Sequence, residues 1–61
     1  MSRLRIRDNK REIARLTKSF VANCAIIDDR NASEDDKVQA AHRLAEINLR
    51  INLLEAENQR L

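Results

Sequence analysis

His42 with Glu46 one helical turn later, the lone Cys24, and the acidic run Glu34, Asp35, Asp36 are the residues of this 61-residue chain whose types could support catalysis or hold a metal. Each falls short of the spacing such chemistry needs. One His and one carboxylate supply too few ligands for zinc, and a single His and a single Cys cannot build a multi-Cys site, a catalytic triad or an intramolecular disulfide. Cys24 reads as a small buried hydrophobe rather than a reactive thiol. The acidic run is what a helix N-terminus favours, since negative charge on the first turn complements the backbone dipole without any ion. Glu46 with Arg50, and Glu12 with Arg15, read as intrahelical pairs worth about 0.2–0.5 kcal/mol each. The expectation is a protein that is not an enzyme and uses no metal, no cofactor and no small-molecule substrate.

The chemistry these residues do support is electrostatic. Arg3, Arg5, Arg7, Lys10, Arg11, Arg15 and Lys18 crowd the start of the chain, opposed there by Asp8 and Glu12. A net charge of +2 conceals this, because residues 1–30 hold eight Lys or Arg against four acids while residues 31–61 hold four against six. On a helical wheel Arg3, Arg7, Lys10, Arg11, Arg15 and Lys18 fall within about 140°. They therefore form one surface, the footprint expected of a protein that binds phosphates. Phe20 is the one aromatic residue and does not interleave with them, so stacking on single-stranded bases is not expected. Arg5, Arg7 and Asn9 are the candidates for reaching base edges.

Nucleic acid is the expected partner. The alternative is an acidic protein surface, on which the same basic face and an apolar stripe would dock as an adaptor or inhibitor. A merely solvated face is the competing reading. No apolar run approaches the roughly 20 residues that span a bilayer, no signal-peptide core follows Met1, and the basic segment lacks the Trp that anchors interfacial helices. A cytoplasmic protein with no membrane partner is expected.

The elements that must carry this surface are helices. Gly and Pro are absent, which excludes most tight β turns and Gly-rich phosphate loops. The one cluster of turn-type residues is Asp28, Asp29, Arg30, Asn31, Ala32, Ser33, with Ser33 suited to cap a following helix and Asn31 to take a left-handed conformation after the preceding one. Ile6, Ile13, Leu16, Phe20, Cys24 and Ile27 lie within roughly 80° on the first helix. Asn9 sits on that stripe, as a buried polar contact or as a cap where the helix begins. In the latter case the alternation of Arg3, Leu4, Arg5, Ile6, Arg7 would suit a short strand.

The second helix is apolar on two opposite sides. Leu44, Ile51 and Asn58 occupy heptad a positions and Ala40, Ile47, Leu54 and Leu61 d positions, while Val38, Ala45, Leu49, Leu53 and Ala56 form a row roughly 170° away. One neighbouring helix cannot cover both. The expected architecture is all-α: one domain over residues 1–61, an antiparallel two-helix hairpin or helical coiled coil with helices at about 3–29 and 34–61 and a turn at about 30–33. It is expected to assemble as a dimeric four-helix bundle or higher homo-oligomer. Leu44, Ile47, Leu49, Ile51, Leu53, Leu54, Asn58 and Leu61 are the candidates for the oligomer interface. A single continuous helix through the polar segment is the rival topology.

The closing residues Leu54, Glu55, Ala56, Glu57, Asn58, Gln59, Arg60, Leu61 resemble one heptad of a leucine zipper. The resemblance implies that Asn58 fixes register, and Arg50 with Glu55 suits a parallel pair. A basic leucine-zipper protein runs its basic region straight into the zipper, whereas here Asp28 to Asp36 intervene, so that family's base-reading residues are not carried across. Arg3 to Arg7, followed by a cap and a helix, resemble the opening of ribbon-helix-helix repressors, which implies a strand entering the major groove. The long first helix and the missing Gly turn depart from that pattern.

Overall fold

The computed structural model describes residues 2–61 as two helices, α1 (Ser2–Asp28) and α2 (Glu34–Arg60), packed against each other as an antiparallel hairpin. Helix extends through Arg3, Leu4, Arg5, Ile6 and Arg7, so the short strand is not formed. No residue of this segment is a helix breaker, and its neighbours on α2 supply what its own first turn lacks. That first turn carries no acid, and the last turn of α1 carries no base. Both ends of α1 thus oppose the helix dipole.

The break between helices is local chemistry. Ser33 caps α2 from extended backbone (φ −68°, ψ 158°), its Oγ accepting the Asp36 N–H at 3.0 Å, with Glu34, Asp35 and Asp36 on the first turn. The left-handed residue expected at Asn31 is absent, as no non-Gly residue among those described has positive φ. Asp29 replaces it. Its side chain accepts the Asn31 N–H at 2.9 Å and its carbonyl accepts the Ala32 N–H at 3.2 Å, closing a side-chain turn that needs no strained backbone.

The core is a one-layer seam. Asn9, Leu16 and Asn23 are buried on α1 at seven-residue spacing, and Ala40, Ile47 and Leu54 on α2 at the same spacing. Ile13, Phe20 and Ile51 pack against the Leu16, Ile47 and Leu54 cluster. Sustained seven-residue spacing on both strands is coiled-coil packing. The molecule is a rod of 47 × 14 × 11 Å with a radius of gyration of 14.2 Å, where a compact chain of this length would have about 10–11 Å. Two helices side by side bury one stripe each, so the outer face of each remains open.

Candidate anion-binding surface

α1 places Arg3, Arg7, Lys10, Arg11 and Lys18 in solvent, where none of them joins either ion pair found among the described residues. At 1.5 Å per residue, Arg3 to Lys18 spans about 22 Å. The row is directed away from α2, because the opposite stripe of α1 is held in the seam. Beyond Lys18 the outer face changes character, with Val21 exposed.

The other two residues of the expected basic set are engaged. Arg15 donates from Nε to Glu12 Oε2 at 3.0 Å and forms a second bond from Nη2 to Glu12 Oε1. This pairing holds the Glu12 carboxyl below its ordinary range and the Arg15 guanidinium above its own. Arg5 reaches across the seam to Glu57 with both Nε and Nη2. Its guanidinium, and then the Asn9 amide, hold the Glu57 carboxyl down at about 2. Arg5 is therefore a clamp between helices rather than a free member of the row, although its side chain remains 60% exposed.

Beside this clamp lies the polar layer of the seam. Asn9 Nδ2 donates to Asn58 Oδ1 at 2.8 Å and to Glu57 Oε1 at 3.2 Å. Asn58, which the zipper resemblance assigns to a parallel pair of chains, thus accepts from Asn9 across the antiparallel hairpin of one chain. A second polar layer was not evident from sequence. Asn23, buried, donates to the Ser19 carbonyl and accepts from Arg43 Nε, both at 2.8 Å. Cys24, expected on the buried stripe, is half-buried beside it with a free thiol. The seven-residue recurrence of Asn9, Leu16 and Asn23 was the available signal. The expected Glu46–Arg50 pair does not form among the described residues. Arg50 is exposed and joins neither ion pair, and its charge adds a minor preference for the ionised forms of Glu12 and Glu57.

The α2 residues expected at an oligomer interface divide between two faces. Ile47 and Leu54 are buried in the hairpin, Ile51 packs on them, and Leu44 and Asn58 are half-buried. Leu49, Leu53 and Val38 stand on the opposite side at 61%, 55% and 51% exposure, and Leu61 is exposed at the end of the chain. His42 and Glu46 are exposed, and no three His, Cys, Asp or Glu side chains converge among the described residues. No described helix is long and apolar enough to cross a membrane. Comparison with protein families, curated proteins and solved structures finds no match to this chain.

Proposed function

We propose that this chain is a small non-enzymatic nucleic-acid-binding protein that docks the outer face of α1 on a phosphate backbone and self-associates through the outer face of α2. The observation that carries the reading is the row Arg3, Arg7, Lys10, Arg11 and Lys18, exposed and outside the ion pairs, on one continuous helix. A duplex presents one negative charge per about 1.7 Å of axis, so a row of about 22 Å always has phosphates within reach. The helix fixes the spacing of these positions before binding, so the ordering cost on contact falls on the side chains rather than on the backbone. The unbroken helix through residues 3–7 favours backbone contacts over base reading by an inserted strand.

The test is fluorescence anisotropy of labelled duplex DNA and duplex RNA at low salt, with the wild type and an Arg7→Glu/Arg11→Glu/Lys18→Glu variant. Wild type should bind and the variant should not, with circular dichroism unchanged because all three side chains are exposed. Equal binding by both would exclude the row as the docking surface. Absence of binding to either duplex, together with retention of an acidic protein that the charge-reversed variant releases, would favour the adaptor reading instead.

A further inference from the structure

We infer that the partner of the exposed apolar row on α2 is the same row of a second copy, packed antiparallel about a two-fold axis at Leu49. The inference rests on the proposed self-association and specifies its geometry. The apolar row Val38, Ala45, Leu49, Leu53 and Ala56 is interrupted by His42 and ends beside Arg60, and apart from half-buried Ala56 all of these are exposed. Antiparallel packing about Leu49 sets Leu53 of one copy against Ala45 of the other, a large residue into the space beside a small one, twice by symmetry. It also brings the Arg60 end of one helix beside the Glu34 and Asp35 end of its neighbour. Arg60 takes part in no ion pair among the described residues of its own chain. Parallel packing would instead set Leu on Leu, Ala on Ala, Glu46 on Glu46, and like-charged ends together. Opposed helix dipoles add to the same preference.

The described hairpin exposes 4957 Å², whereas a compact monomer of 7.1 kDa would expose about 4,100 Å². The excess belongs to the rod as a whole, and on α2 it leaves Val38, Leu49 and Leu53 each more than half exposed. The row lies opposite the seam on α2, so the product is a flat layer ordered α1, α2, α2, α1, rather than a compact four-helix bundle. Its two basic rows then lie on opposite edges, with the α1 axes about 30 Å apart at ordinary helix spacing. Such a dimer presents two separate phosphate-binding edges.

Disulfide trapping without nucleic acid tests the geometry, using Leu49→Cys and Val38→Cys, each in a Cys24→Ser background and oxidised with copper phenanthroline. A disulfide needs Cα atoms about 5.5–6 Å apart. Leu49→Cys should give covalent dimers readily. Val38→Cys should not, since the two copies of residue 38 would lie about 33 Å apart, but mixing it with Arg60→Cys should give the crossed dimer. Efficient self-linking of Val38→Cys would overturn the antiparallel register. Failure of Leu49→Cys to link in a chain that sediments as a dimer would overturn the interface while leaving self-association standing. A chain that sediments as a monomer at roughly 100 μM would remove both.

Discussion

Glu57 is the side chain on which most of the hairpin's polar order converges, since it receives Arg5 and Asn9 across the seam. Its folded pKa of about 2 lies below the ordinary 4.5. A depressed carboxylate stabilises the fold above the unfolded pKa, and that contribution disappears as pH falls from about 4.5 toward 2. Side-chain exposure of 36% keeps the contribution modest. Urea midpoints measured from pH 7 to 2 should therefore decline less steeply for Glu57→Gln than for wild type. A second effect follows from the ends of α1, which oppose its dipole. With Glu57 neutralised, amide exchange at residues 3–9 should accelerate at pH 7 while the centre of the seam is unaffected. The Asn9–Asn58 pair makes a different prediction. Replacing both by Leu should raise the melting temperature, with a gain in stability on the order of 1 kcal/mol, because it substitutes apolar packing for a polar pair of which Asn9 is buried and Asn58 half-buried. The same variant should lose uniqueness of pairing, visible as more than one species in sedimentation. A lowered melting temperature would mean that the pair contributes net stability.

At the scale of elements, Ser33→Ala should cost about 1 kcal/mol in thermal unfolding, since the Asp36 N–H loses its acceptor. Leu16→Ala or Leu54→Ala should cost about 2–5 kcal/mol and leave little folded hairpin, because the seam has no second layer to compensate. The two helices, their break and the Ser33 cap were legible in the sequence, because capping and seven-residue spacing are local signals. Asn31 does not take the left-handed position because Asp29, two residues earlier, closes the turn with its own carboxylate. The partner of Asn58 was not legible for a different reason. A heptad fixes which face a residue occupies, and it says nothing about which helix will cover that face. Hydrophobicity points to Cys24 for the buried stripe, whereas packing geometry buries Asn23, the residue seven from Leu16. The clustering of basic residues on one side of α1 follows from helical spacing alone, whereas the engagement of Arg5 with Glu57 depends on a residue 52 positions away.

The whole molecule is a rod with one closed seam and two open faces, one basic and one apolar. Basic charge concentrated on the face that packing does not use is the basis of the proposed function, and salt dependence reads it most directly. Each phosphate contact releases counterions, so the slope of log K against log salt measures how many cations bind. For duplex DNA the slope of the wild type should be negative, and Arg7→Ala, Arg11→Ala and Lys18→Ala should each reduce its magnitude by about one. Arg5→Ala should leave the slope nearly unchanged, because its charge is already paired with Glu57. Slopes indistinguishable among wild type, Arg7→Ala, Arg11→Ala and Lys18→Ala, or a loss confined to Arg5→Ala, would contradict the assignment of the outer face of α1 as the binding surface.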